Sequence, residues 1–424
     1  MTSAADRPPR ESRQFPTWSA VRPLLGFQRP SIGTRARVER AATIADLRGM
    51  AKRRSPRSIF DFTDGAADDE SGLRRCRDLF AAAEFSGTVL HDVATVDTST
   101  TVLGERAALP LVLGPTGFTR MIHHGGELAV VREARRAGLP YTLSTMGTTP
   151  LETVADAAGD SPHWFQLYLW RDRAASRELL DRARIAGYTA LVVTVDTPVG
   201  GNRLRDVYNG LTIPPKLTPS TFVNMATRPN WWVNVLTTAP LEFASLSSWE
   251  GNIKDMINKM FDPSVTWADI EWIREVWPGK LVLKGVQTVA DAERAVEAGV
   301  DAVLLSNHGG RQLGRARPPL RLLPEVRAAL GRDREIFVDG GVMSGLDIAA
   351  AVAQGANAVW IGRAYLYGLM AGGQSGVRRA LEIFQSEFTR TLQLLGARSV
   401  SELGPHHVRL PADPASASER VSVG

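Results

Sequence analysis

The stretch LLSNHGGRQLG (304–314) ends an apolar run with a histidine, two glycines and an arginine. His308 can take a proton near neutral pH, and Arg311 carries a planar fork of donors suited to a carboxylate. Gly309 and Gly310 either make a plain turn capped by His308 or bend the chain tightly enough to bring both side chains to one small molecule. Other apolar runs end in similar chemistry: Pro115-Thr116-Gly117, Ser144-Thr145, Gln166 and Tyr168, Thr194 and Asp196, Lys284, Ser306-Asn307, Asp339-Gly340-Gly341 and Gly362-Arg363. Singly, each has a structural explanation, since Gln166 can satisfy a backbone group, Thr194 can cap a helix and Asp196 can hold a turn. Their recurrence at every run end points to a shared site. Asp196 could stabilise an imidazolium on His308. Lys284 could form a Schiff base or remain an ammonium facing negative charge. Gly340, Gly341 and Arg363 suit a phosphate. Residue types alone therefore describe an enzyme that binds a phosphorylated cofactor and a small organic acid.

Eight apolar runs must position these groups: LPLVLGPT (109–116), PYTLST (140–145), HWFQLYL (163–169), TALVVTVD (189–196), KLVLKG (280–285), DAVLLSN (301–307), EIFVDGG (335–341) and NAVWIGR (357–363). Amphipathic stretches such as GELAVVREARRAG (126–138), ASRELLDRARIAG (175–187) and VADAERAVEAG (289–299) lie between them. Near-continuous apolar strands alternating with helices predict an α/β protein with parallel strands covered on both sides. Eight such units predict a closed (β/α)8 TIM barrel, with its site at the strands' C-terminal ends and phosphate after strands seven and eight. An open doubly wound sheet usually carries G-x-G-x-x-G, which is absent.

A helical pattern from Thr43 to Ser58, followed by FDFTDGAADDE (60–70), predicts an N-terminal helical extension. Residues 1–40, rich in Arg, Pro and Ser, read as a basic, loosely ordered arm, 41–408 as the barrel and 409–424 as a tail. A long inserted loop follows strand four, at about 205–264. Within it NWWVNVLTTAPLEFASLSSW (230–249), with Trp231, Trp232, Phe243 and Trp249, is too aromatic for disorder. It suits a lid, a subunit contact, core packing or a membrane-interface segment.

Formal net charge is +5, but the basic residues are scattered and no nucleic-acid module accompanies them, so no nucleic-acid partner is expected. Attraction to an anionic membrane surface is the functional alternative to a solvated surface. The single cysteine, Cys76, excludes an internal disulfide framework and a Cys-rich metal site, so no metal centre is expected. With no secretory-type apolar segment and no run of transmembrane length, the expected location is the cytoplasm, or peripherally the inner face of the cell membrane.

In order along the chain, SNHGGRQL (306–313), PTG (115–117), QLY (166–168), TVDTP (194–198), LKG (283–285), DGG (339–341) and IGR (361–363) resemble the FMN-dependent L-2-hydroxy acid dehydrogenase and oxidase family. The likeness spans roughly residues 43–408, and GRAYLYGLMAGG (362–373) extends it toward the bacterial respiratory L-lactate dehydrogenases of actinobacterial type. The resemblance implies FMN along Pro115, Thr116 and Gly117, with Ser144, Gln166 and Thr194 bonded to its ring. It places Lys284, as an ammonium, where reduction puts negative charge. Ser306 joins the cofactor set, and Asp339, Gly340, Gly341, Gly362 and Arg363 would hold the ribityl chain and phosphate. Tyr168, Arg203, His308 and Arg311 would face the substrate, with Asp196 paired to His308. The implied reaction is oxidation of an L-2-hydroxy acid, L-lactate first, with electrons passing to a quinone or other membrane acceptor. An oxygen-using oxidase or monooxygenase is the nearest rival; an FMN protein that no longer turns over hydroxy acids, or that acts on a modified peptide, is another. The expected assembly is a homo-oligomer, a tetramer.

Two departures bear on this. Most members have a substrate-binding Tyr where this chain has Phe62, and many have Arg in DGGVR where it has Met343. Losing one hydrogen bond to a charged group costs about 1.5–3 kcal/mol, which leaves the substrate open and FMN binding intact. Gly117, where several oxidases have Ala, leans toward a dehydrogenase.

Overall fold

Alternate residues of a strand face opposite sides of a sheet, and in this chain that alternation builds both the centre and the site. The computed structural model describes residues 14–25, 33–210, 226–238 and 262–412. Its eight parallel strands are β1 (Leu111–Leu113), β2 (Tyr141–Ser144), β3 (His163–Leu167), β4 (Ala190–Thr194), β5 (Lys280–Val286), β6 (Ala302–Leu305), β7 (Glu335–Val338) and β8 (Ala358–Ile361). They pair in sequence order and β8 closes onto β1. The fold is the expected (β/α)8 barrel, with an α-helix between successive strands and Arg363–Gly372 after the last.

Val112, Trp164, Val192, Val282, Leu304, Phe337 and Trp360 form one buried cluster with the hairpin residues Val102, Leu103 and Ala107. The Trp164 and Trp360 rings lie 5.6 Å apart, centroid to centroid. The hairpin (Thr100–Val102 with Glu105–Ala107) caps the strands' N-terminal end: Glu105 accepts hydrogen bonds from Trp164 Nε1 and Thr189 Oγ1, each at 3.0 Å. Two residues further along the strands the same inward rows read Gln166, Thr194, Lys284, Ser306, Asp339 and Gly362. Apolar bulk at one end and polar groups at the other thus follow from a period of two.

The N-terminal extension consists of Thr34–Glu39, Ile44–Arg54, Arg57–Asp64 and Ser71–Ala81. The expected single helical run from Thr43 is two helices, because Ser55 is extended (ψ 150°) before Pro56. The first helix opens with a capping box between Thr43 and Asp46. Thr34–Glu39 lies inside the stretch expected to be loosely ordered, but it packs on the last barrel helix and on Gln374–Leu395, burying Val38. One buried residue, Val38, in TRARVE is too weak a periodic signal to announce it. At the other end, Val408 and Arg409 pair with Phe85 and Glu84.

Asp64 ties these parts together. Its carboxylate accepts from Arg48 (2.6 and 2.9 Å), from Arg205 of the inserted loop (2.9 Å) and from Tyr367 of the last barrel helix (2.8 Å). Burial pushes this carboxyl's pKa up, but the hydrogen bonds from Arg48, Tyr367 and Arg205 outweigh it and hold the group below its ordinary value. The stability this contributes is present above the unfolded carboxyl's pKa and is lost as pH falls through the lower folded value.

Of the long insert, the described parts form Leu204–Tyr208 and Pro229–Thr237. Trp231 is packed in the core with its Nε1 donating to Met121 O at 3.0 Å, so core packing claims this residue. Phe243 and Trp249 lie outside the described residues.

Cys76 is buried between the extension and the barrel, accepting from Asn307 Nδ2 at 3.2 Å. Burial pushes its thiol up to about 11. Because the thiolate is the nucleophile, iodoacetamide at pH 8 should leave the native protein unlabelled and label it fully once unfolded, as mass spectrometry would show.

Candidate active site

A cavity of about 480 Å³ opens at the C-terminal ends of the strands. Pro115, Thr116 and Gly117 after β1, Ser144 on β2, Lys284 on β5, Asp339, Gly340 and Gly341 after β7, and Gly362 and Arg363 after β8 line one part of it. Tyr168, Arg203, His308 and Arg311 line the rest. Most of the expected cofactor and substrate residues therefore meet in one space.

Gln166, Thr194 and Ser306 stand behind this wall. Gln166 Oε1 accepts from Ser144 Oγ at 2.9 Å, and its Nε2 donates to Thr194 Oγ1 at 3.0 Å. Strand register puts Ser144 beside Gln166 and Gln166 beside Val192, two residues before Thr194, so these hydrogen bonds step across three strands. Ser306 Oγ accepts from Lys284 Nζ (3.1 Å) and from His308 N (3.0 Å), and donates to Asp339 Oδ2 (2.9 Å). These three residues brace the groups that face the cavity.

His308 Nδ1 lies 2.9 Å from Asp196 Oδ1. The turn that presents it is left-handed at His308, Gly309 and Gly310 (φ 56°, 62° and 73°). A Cβ at Gly310 would also meet the backbone N of Leu73 at 2.9 Å, so glycine is needed there for space as well as for φ. His308 itself holds a conformation that costs a β-carbon-bearing residue about 1–3 kcal/mol. Asn307 Oδ1, accepting from Gly310 N at 3.1 Å, and Ser306 secure it.

Charge is sharply divided in the cavity. Burial lowers the pKa of His308 and Lys284 lowers it further, against the opposing pull of Asp196, so the imidazole is neutral at neutral pH. Burial pushes Asp196 up, but His308 and Lys284 hold it below its ordinary value and ionised. Burial disfavours the Lys284 ammonium, yet Asp196 and Asp339 outweigh burial and raise its pKa. Its Nζ lies 3.6 Å from Asp339 Oδ2. That removes the Schiff-base reading, which needs a neutral amine. Arg311 is destabilised by burial and by the guanidinium groups of Arg203 and Arg363, with Asp206 the carboxylate that opposes this. Arginine stays charged in proteins, so the cluster favours anions.

Arg311 Nη1 donates to Phe62 O (2.6 Å) and Gly65 O (3.1 Å), and its Cζ sits 5.1 Å from the centroid of the Phe62 ring. Phe62 thus holds the guanidinium through its backbone and ring, while offering no hydroxyl. Arg363 donates to Thr63 O, Gly309 O and Gly65 O, at 3.0, 2.8 and 2.6 Å, which uses three of its five donors. Met343 lines the cavity, and Arg77 donates to Gly341 O and to Asp347, supplying a cation beside that loop.

Some functional positions escaped sequence reasoning. Tyr365 OH donates to Gly114 O at 2.8 Å and lies 2.7 Å from Thr116 Oγ1, fixing the β1 loop. Gln312 donates to Asp196 O (3.1 Å) and Val199 O (2.8 Å) and accepts from Gly201 N (3.0 Å), pinning the Arg203 loop to the His308 turn. Asp206 lines the cavity three residues past Arg203, the one hint the sequence offered of its place.

These residues fit FMN. Three guanidinium groups and the buried Lys284 ammonium face two carboxylates, Asp206 and Asp339, among the described lining residues, and Asp339 Oδ1 is buried without a partner among the described residues, an acceptor suited to a ribityl hydroxyl. The chain matches the FMN-dependent dehydrogenase family over residues 51–410. It belongs to that family. A Mycobacterium tuberculosis protein with a provisional L-lactate dehydrogenase name is 51% identical over 398 residues, covering 94% of this chain and 96% of the relative. The L-lactate dehydrogenase of Allorhizobium ampelinum is 41% identical over 367 residues, covering 85% and 96%. Among solved structures, the monotopic membrane protein (S)-mandelate dehydrogenase superposes with a TM-score of 0.84 at 34% identity, covering 88% of this chain and all of that one. A single-substitution variant of a mandelate oxidase with (S)-mandelic acid gives 0.76 at 36% identity, covering 88% and 100%. FMN is the cofactor of this family member, and its chemistry is that of a 2-hydroxy acid dehydrogenase.

Proposed function

We propose that the protein oxidises a short L-2-hydroxy acid, L-lactate first, to the 2-oxo acid and passes the electrons to a quinone at a membrane surface. The observation that carries this is His308, paired to Asp196 at 2.9 Å, in one cavity with Arg203, Arg311 and the cofactor cradle. Arg311 and Arg203 bind the carboxylate and orient the hydroxyl toward His308. His308 Nε2 takes the hydroxyl proton while Asp196 stabilises the imidazolium. When bound, FMN supplies the two-electron acceptor. Lys284 offsets the negative charge that then develops.

L-lactate is favoured over mandelate by the names of the sequence relatives at 51% and 41% identity. Phe62 and Phe118, packed edge to face at 6.1 Å in the cavity wall, support a second reading, an acid with an aromatic side chain. Anaerobic addition of L-lactate, glycolate and (S)-mandelate to the yellow protein ranks the substrates by the rate of bleaching; failure of all three would remove the reading. Oxygen uptake during turnover, set against reduction of a quinone analogue, tests the acceptor.

For the membrane, Trp232, Val233 and Leu236 share one exposed side of Pro229–Thr237, opposite the packed Trp231. No helix among the described residues is long and apolar enough to cross a bilayer, so the contact would be peripheral. Leu236, 74% exposed, is the residue to change. Leu236→Glu should move the protein from the membrane pellet to the supernatant with flavin retained, whereas unchanged pelleting would count against this surface.

A further inference from the structure

Charge is unevenly placed along the chain. Residues 1–40 hold eight arginines against three acidic residues, while the remainder holds 42 basic and 42 acidic side chains. The whole net charge of +5 therefore sits in the basic arm. Interleaved with its arginines is apolar bulk: Phe15, Trp18, Leu24 and Leu25.

That bulk is not packed. Within residues 14–25, Trp18–Val21 forms one helical turn and Arg22–Leu24 a short 3-10 turn, and neither contains a buried residue. Phe15 is 97% exposed, Trp18 68% and Leu24 81%. The backbone hydrogen bonds of Ala20, Val21, Arg22 and Leu25 run to Thr17, Trp18 and Arg22, inside the same stretch. A lone exposed apolar side chain is ordinary. A set of aromatic and aliphatic side chains this close together, on a stretch that buries nothing, marks a surface that meets a partner.

Two properties choose the partner. Concentrated positive charge favours an anionic surface. The rest of the chain carries no net charge, so a second copy offers no net charge to complement the arm. Nucleic acid would satisfy the arginines and could stack on Trp18, but it leaves Leu24 and Leu25 in water. A bilayer with anionic lipid accommodates all of them. Its phosphates take the arginines, its interfacial zone takes the tryptophan, and the acyl boundary takes Phe15 and the leucines.

We propose that the arm around Phe15–Leu25 docks on an anionic phospholipid bilayer, with Phe15, Trp18, Leu24 and Leu25 in the interface and the flanking arginines at the headgroups. The proposal rests on the membrane reading above and deepens it by naming the lipid class. It also adds a contact separate from the Leu236 side of Pro229–Thr237. Two weak contacts joined in one chain reinforce each other on one bilayer, so losing either weakens attachment.

The test sediments the full-length, flavin-loaded protein with vesicles of phosphatidylcholine alone and of phosphatidylcholine mixed equally with phosphatidylglycerol. The half-saturating lipid concentration should be at least about tenfold lower for the mixed vesicles, and the difference should vanish at about 1 M salt, where screening acts within roughly 3 Å. Phe15→Ser with Trp18→Ser should weaken binding to the mixed vesicles by roughly tenfold or more. Arg10→Glu with Arg13→Glu and Arg22→Glu should erase the preference for them. Both variants should stay yellow, since Phe15, Trp18 and Arg22 are not among the residues lining the cavity. Leu236→Glu should weaken binding to both kinds of vesicle and keep the preference. The proposal is overturned by equal binding to the two kinds, by a preference that survives high salt, by undiminished binding in either arm variant, or by binding to duplex DNA at least as tight as to the mixed vesicles. Binding that falls with Leu236→Glu and not with the arm variants would remove this proposal and leave the membrane reading standing. If no hydroxy acid reduces the flavin, the proposed reaction fails, and the vesicle measurements still decide whether the arm binds lipid.

Discussion

His308→Gln should leave the protein yellow and slow its reduction by hydroxy acid by roughly 10²–10⁴-fold, the usual contribution of a positioned general base. At about 1.4 kcal/mol per factor of ten, the loss is about 3–6 kcal/mol of transition-state stabilisation. Glutamine keeps most of the side-chain volume and an amide that can still donate to Asp196. The cofactor wall comes from β1, β2, β5, β7 and β8, so its groups remain in place. The same substitution should remove a pH dependence. The active imidazole is neutral, so reduction in the native protein should decline only as pH falls through the pKa of His308, which burial holds below the ordinary value of about 6.5. Stopped-flow bleaching across pH reads both effects; near-normal bleaching in the variant would reassign the base.

Arg311→Lys should raise the half-saturating hydroxy acid concentration by about 10–100-fold, because one charged hydrogen bond is worth roughly 1.5–3 kcal/mol. The guanidinium meets two demands at once. It donates to Phe62 O and Gly65 O, which fix its plane, and it presents remaining donors to the cavity. A lysine ammonium has no such fork. It would keep the charge but lose the anchor at the extension or the two-pronged grip on the carboxylate. Retained FMN and a small change in maximal rate would complete the pattern. An unchanged half-saturating concentration would mean that Arg203 alone holds the carboxylate.

Much of this site was legible in the sequence because a barrel repeats one physical rule. Each apolar strand ends at the same face, so Lys284, Ser306, Asp339 and Gly362 could be placed together from the runs that precede them. What a linear reading could not supply was which side of the wall a residue occupies. Gln166, Thr194 and Ser306 end strands as expected, yet they brace neighbours, because the inward rows are deeper than the cavity. The Asp64 network joins residues 16, 141 and 303 positions apart in the chain, and no local pattern marks such a contact. Helix Thr34–Glu39 was hidden for the opposite reason, having a single buried residue, Val38.

The most direct test of the central claim is anaerobic stopped-flow of the purified flavoprotein with L-lactate and with L-lactate deuterated at C2. The account predicts that the flavin absorbance bleaches at a rate that saturates with L-lactate, and more slowly for the deuterated acid, since the C2–H bond breaks as His308 takes the hydroxyl proton. A flavin that stays oxidised with L-lactate, and with the wider panel of L-2-hydroxy acids, would contradict it.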